Sequence, residues 1–184
     1  MRLFTAIDIP KEVIRTLEQL SLGLRPTARI HWSPIQNLHI TTKFVGEWPD
    51  AKVPQLQDAL TTIGRHAAFP AAVRGLGFFP NARSPRVFWA GVEAPPALAD
   101  LARQTELALN RAGVPEEGRP FSPHLTLARI KEPVPLDKLH SAIAALPSRE
   151  FGEFTVDRFY LYQSRLTQSG SIYTKLSEYR LESR

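Results

Sequence analysis

Two histidines in this chain are each followed, two residues later, by a threonine. They lie in "NLHITTKFVGE" (37–47) and "SPHLTLARIKE" (122–132), whose other residues read as buried strand. Counted from the histidine, both segments carry His, Thr, a β-branched aliphatic residue and Glu at matching offsets. Alternate side chains of a strand share a face, so His39 and Thr41 point one way, and so do His124 and Thr126. Strict alternation sends Ile40, Thr42 and Phe44, and likewise Leu125 and Leu127, toward the core. Each segment therefore presents an imidazole beside a hydroxyl on rigid backbone. Two imidazoles on opposite sides of a phosphorus can act as general base and general acid in one displacement, one taking a proton from water and the other giving one to the leaving oxygen. The two hydroxyls can donate to the non-bridging oxygens, where transition-state charge must be held. A lone His-x-Thr is an ordinary strand pattern; the repeat in matching contexts carries the argument.

Such chemistry needs neither a metal nor a covalent intermediate. The chain has no phosphate-binding G-x-x-x-x-G-K-[ST] loop, no H-E-x-x-H, no G-x-S-x-G and no G-x-G-x-x-G. His31, His66 and His140 lack companions at metal-ligand spacing, and with no cysteine there is no thiolate site, disulfide or cysteine nucleophile. No metal and no cofactor are expected. The absence of cysteine also suits a reducing cytoplasm. Lys and Arg exceed Asp and Glu by 23 to 18, mostly through arginine, which favours a phosphate-bearing partner.

The elements that must position the histidines follow from periodicity. Strands are expected at 2–9, 28–32, 38–46, 71–79, 86–92 and 124–130, with a closing hairpin of 154–165 and 171–181 around "TQSG". Helices are expected from Pro10 through "KEVIRTLEQLSLGL", over 52–65, over about 95–112, and in "PLDKLHSAIAAL". The order β-α-β-β-α-β-β-α-β-α-β-β points to an α+β fold with antiparallel sheets. Each histidine strand is followed by a helix and two strands, as an internal duplication would produce. At 184 residues one domain, 1–184, is the expectation. "MRLFTAIDIPKEV" does not read as a signal peptide, and no apolar run reaches the roughly 20 residues of a membrane span.

With these motifs in hand, the sequence resembles the two-histidine (2H) phosphoesterases, and more closely the RNA 2',3'-cyclic phosphodiesterases, also described as RNA 2'-5' ligase-like proteins. The blocks "LFTAIDIP", "NLHITTKFVGE", "GFFPNARSPRVFWAGV", "FSPHLTLARIK" and "LYQSRLTQSGSIYTKL" resemble family segments in family order. The resemblance implies a bilobal α+β fold, two pseudo-symmetric lobes of antiparallel sheet flanked by helices around a central cleft. It implies hydrolysis of 2',3'-cyclic phosphate ends to 2'-phosphates, with reversible 2'-5' ligation of RNA. It also implies that His39 protonates the leaving 3' oxygen, that His124 activates water, and that Thr41 and Thr126 bind phosphate. The family usually has an aliphatic residue at Thr42.

Arg129 matches a basic position after the second motif, but strict alternation places it opposite His124, so phosphate contact and a structural ion pair both stay open. Lys43 shares alternation with His39 and is a further candidate. Phe121 and Trp32 could stack a base or ribose at the cleft rim, or pack in the core. The expected partners are RNA ends or nucleoside 2',3'-cyclic phosphates, met by a cytoplasmic monomer away from membranes. Two other readings remain: a binding module for RNA 3' ends, and a 2H enzyme acting on another phosphoester such as an oligoadenylate.

Overall fold

The computed structural model describes residues 1–63 and 65–183. Among these residues nine strands form two antiparallel sheets: β1 (Arg2–Asp8), β2 (His31–Trp32), β3 (His39–Glu47), β4 (Phe69–Phe79), β5 (Val87–Glu93), β6 (His124–Arg129), β7 (Glu150–Val156), β8 (Arg158–Thr167) and β9 (Gly170–Arg180). The first sheet has the order β3-β1-β8-β9 and the second β2-β6-β5-β4-β7. Four α-helices among the described residues cover them: α1 (Lys11–Leu24), α2 (Val53–Thr61), α3 (Pro96–Arg111) and α4 (Asp137–Ala144).

The two long helices each bury one stripe, which is why their pattern was legible. Val13, Leu17, Leu20 and Leu24 of α1 recur every three or four residues and are buried, as are Leu98, Leu101, Ala108 and Leu109 of α3. Prolines at position 10 and at 95–96 stand where each of these helices begins, where the missing N–H costs nothing. The second helix is shorter than expected. A 3-10 turn over 50–52 precedes it, α2 ends at Thr61, and Gly64, inside the expected 52–65, lies outside the described residues.

The path of the chain differs from a simple two-half duplication. The first sheet takes β1 and β3 from the N-terminal half and β8 and β9 from the C-terminal end, and α2 and α3 pack on it. The second sheet takes β2, β4 and β5 from the N-terminal half and β6 and β7 from the C-terminal half, with α1 against it and α4 beside α1, touching the sheet through His140 on Phe78. Each lobe is thus assembled from both halves. The segment 154–165, read above as one strand, is divided at Asp157: β7 pairs with β4 in the second sheet, and β8 pairs with β1 in the first. One apolar core runs through both sheets, from Leu3, Ile7 and Ile40 to Phe88, Leu125 and Phe151. Among the described residues no helix is long and apolar enough to cross a membrane.

Candidate active site

The two motif strands, β3 and β6, touch where the lobes meet. Their backbones share a departure from alternation. In β3 the pairing with β1 steps from Ala6↔Thr41 to Thr5↔Lys43, so Thr42 is an extra residue. In β6 the pairing with β5 steps from Trp89↔Thr126 to Phe88↔Ala128, so Leu127 is extra. Both are β-bulges at the fourth residue counted from the histidine. A bulge reverses which face the following residues present. The burial patterns over His39–Phe44 and His124–Arg129 are identical: half-buried, buried, half-buried, buried, buried, exposed.

These bulges correct three expectations. Phe44 does not enter the core; it is 51% exposed, and its ring lies 6.2 Å from that of Phe4, the same ring that packs against His39. Lys43 does not share the face of His39. It is buried on the opposite side, where Nζ donates to Glu106 Oε1 at 2.9 Å and to the Pro115 carbonyl at 2.8 Å. Arg129 is not turned away from His124: it follows the bulge, is exposed, and takes part in no ion pair among the described residues. Its positive charge bears on both His39 and His124. Thr42 does face the core, where its hydroxyl meets that of Thr5 at 2.7 Å, so each buried hydroxyl is satisfied by the other.

Both imidazoles are held in the same way. His39 Nδ1 donates to the Asn37 carbonyl at 2.7 Å, and His124 Nδ1 to the Ser122 carbonyl at 2.7 Å. A carbonyl can only accept, so Nδ1 carries the proton and Nε2 is the atom left for chemistry. His39 Nε2 lies 2.9 Å from Thr41 Oγ1. Each ring leans on aromatic neighbours that the sequence reading missed. His39 packs against Phe4 at 4.8 Å and edge-on to Tyr173 at 5.2 Å, and His124 meets Phe79 edge-on at 5.0 Å. Trp89, which pairs with Thr126, packs 5.3 Å from Phe79 and crosses Gly77, where any Cβ would overlap its indole. For Phe79 and Trp89 the sequence signal was the density of aromatics in "GFFP" and "VFW"; Phe4 and Tyr173 have no adjacent aromatic in sequence.

Burial pushes both imidazoles below the ordinary histidine range. For His39, the Asn37 carbonyl and the carboxylate of Asp8 work against that, while His124 and Arg129 add to it. For His124, the Ser122 carbonyl opposes burial and Arg129 reinforces it. The remaining candidates are placed less centrally. Phe121 is half-buried with its ring against the main core, and Trp32 packs edge-on to Phe88 while its indole N–H donates to the Ala28 carbonyl. Among the described residues no three His, Asp or Glu side chains converge as a metal site would require.

The site is thus two tethered imidazoles, each with a threonine hydroxyl two residues on, one guanidinium, and a cleft between two sheets. The same arrangement of chain is found in known proteins. The RNA 2',3'-cyclic phosphodiesterase of Methanothermobacter thermautotrophicus is 33% identical over 98% of this chain and 99% of its own length. That of Thermus thermophilus is 36% identical over 98% of this chain and 90% of its own. The crystal structure of TT0787 from Thermus thermophilus superposes over all of both chains with a TM-score of 0.85 at 33% identity. E. coli LigT complexed with 3'-AMP superposes over 98% of this chain and 97% of its own, with a TM-score of 0.81 at 30% identity. A family model described as the 2'-5' RNA ligase superfamily matches residues 9–168. With that match and relatives of this similarity over nearly the whole length, the chain belongs to the 2'-5' RNA ligase superfamily.

Proposed function

We propose that this protein hydrolyses RNA 2',3'-cyclic phosphate ends to 2'-phosphates by metal-independent two-histidine catalysis. The observation that carries this is the pair of imidazoles on facing strands, each with Nδ1 tied to a backbone carbonyl and Nε2 left to exchange a proton. Neutral His124 takes a proton from water as it attacks phosphorus. The bond from phosphorus to O3' breaks opposite the incoming oxygen, and His39 gives its proton to O3'. The phosphate stays on O2'. A 5'-hydroxyl of a second strand in place of water would give a 2'-5' linkage by the same steps, which accounts for a ligase activity at one site.

Thr41 and Thr126 donate to the non-bridging oxygens, and Arg129 supplies the positive charge that the crowded equatorial oxygens require. Phe44 offers an exposed ring for a base, with Phe121 at the rim contributing what its packing leaves open. We read residues 1–184 as one domain, supported by the main apolar core that runs through both sheets, and the enzyme as cytoplasmic, a reading that the lack of cysteine suits. The test is incubation with 2',3'-cyclic AMP in excess chelator, with the product assigned by phosphorus NMR. A 2'-phosphate formed at an unchanged rate is expected. A 3'-phosphate, or activity abolished by chelator, would overturn the mechanism.

A further inference from the structure

A cluster of charge lies beside His39 that the two-imidazole chemistry does not use. Asp8 ends β1 and is the direct cross-strand partner of His39, the first residue of β3. Two groups from the β8–β9 hairpin grip its carboxylate: the Tyr162 hydroxyl donates to Oδ1, and Lys175 Nζ lies 2.6 Å from Oδ2. Lys175 is seated in turn over the Tyr160 ring, 4.1 Å from its centroid. Burial, with the Asp8 contact next, pushes the Tyr162 hydroxyl well above the usual phenol range, so it keeps its proton and remains a donor. Asp8, Tyr162 and Lys175 line, with His39, a cavity of about 660 Å³.

The groups around His39 can be taken element by element. From β1 come Asp8 and the uncharged Phe4; from β8, Tyr162; from β9, Tyr173 and Lys175; from β6, His124 and Arg129. Asp8 is the one anion among them. Around His124 the corresponding groups are the Ser122 carbonyl, Phe79, Arg129 and His39 itself, with no carboxylate among the described residues. The two motifs are alike in backbone and tether, and they differ in this charge. An anion near an imidazole favours its protonated form, and a cation paired with that anion weakens the effect.

We propose that Asp8 is a positioning residue, held by Tyr162 and Lys175, that keeps the catalytic proton on His39 instead of His124 and so decides which imidazole is the acid. This rests on the two-histidine reading above, and it gives that reading a structural source for its polarity. Asp8 does not touch the phosphate; it acts through His39. Lys175 acts as a brake on Asp8, so removing the carboxylate and removing the ammonium must have opposite consequences. A purely structural cluster would not produce opposite signs.

The experiment is NMR titration of the His39 and His124 ring protons in the parent, Asp8→Asn and Lys175→Met proteins, with kcat/KM against pH measured on the same samples. Asn is isosteric with Asp and still accepts from Tyr162, so the cluster can persist without its charge. The expected result is that the His39 midpoint falls in Asp8→Asn and rises in Lys175→Met while the His124 midpoint stays. The high-pH limb of the rate profile should follow His39 in each variant. A His39 midpoint unmoved by Asp8→Asn, midpoints that shift in the same direction in both variants, or a low-pH limb that follows His39 would overturn the proposal. If the parent turns over no cyclic phosphodiester, the functional reading falls, and the NMR midpoints still decide whether Asp8 sets the charge of His39.

Discussion

Lys43→Met separates two roles open to a lysine four residues after His39. If the bulge at Thr42 places Lys43 on the far side of β3, the substitution should damage stability and spare turnover. The side chain is 3% exposed and gives two bonds, to Glu106 Oε1 at 2.9 Å and to the Pro115 carbonyl at 2.8 Å. Breaking a fully buried ion pair costs about 3–5 kcal/mol, because the remaining charge is stranded. Here Glu106 stays 25% exposed and still accepts from the Glu117 amide at 2.8 Å, so the expected loss falls to about 2–3 kcal/mol. For a chain of this length that is a melting temperature lower by roughly 5–10 °C. Adding Glu106→Gln should restore part of it, since the stranded carboxylate is then gone. Thermal unfolding by circular dichroism, beside turnover of 2',3'-cyclic AMP well below the transition, measures both. A kcat/KM within about twofold of the parent, with the lower melting temperature, is expected. An unchanged melting temperature with turnover lost by about a hundredfold would place Lys43 at the phosphate and refute the bulge argument.

Arg129→Gln should show the reverse, a kcat/KM lower by about 10²–10³ with an unchanged melting temperature, because the guanidinium is exposed and unpaired among the described residues. Thr42→Val should cost about 1–2 kcal/mol by leaving the Thr5 hydroxyl buried without a partner, while Thr5→Val with Thr42→Val recovers most of it in denaturant unfolding. The rate should be bell-shaped in pH, rising as His124 loses its proton and falling as His39 does. Since burial lowers both groups in the free protein, the kcat/KM maximum should lie below the ordinary histidine value of about 6.5. The kcat profile should lie to its alkaline side, because a bound phosphodiester anion favours both imidazolium forms; coincident profiles would contradict this.

The parts of this site that were legible in the sequence are those set by local pattern. The His-x-Thr spacing names four residues without a structure, and the three- and four-residue recurrence of Val13, Leu17, Leu20 and Leu24 locates α1. What alternation could not supply is the single extra residue at Thr42 and at Leu127. Nothing in "HITTKF" or "HLTLAR" distinguishes a regular strand from a bulged one, because the residues involved are good strand formers either way. One residue of slip was enough to exchange Lys43 with Phe44 and to misplace Arg129. The break at Asp157 escaped for a related reason. "FTVDRFYLYQSR" keeps strand composition throughout, and only its partners, β4 before Asp157 and β1 after it, reveal that the chain changes sheets there. Asp8 drew no notice because the two groups that hold its carboxylate, Tyr162 and Lys175, are more than 150 residues away in sequence.

Comparing His39→Ala, His124→Ala and the double variant on 2',3'-cyclic AMP decides whether His39 and His124 work as one proton-exchanging pair. Each general acid or base contributes about 10²–10⁴-fold, so each single change should remove most turnover with the fold intact. Two groups serving one displacement are not additive, so the double variant should be little worse than the poorer single one. Parent-level turnover in either single variant, or losses that multiply in the double, would contradict the account.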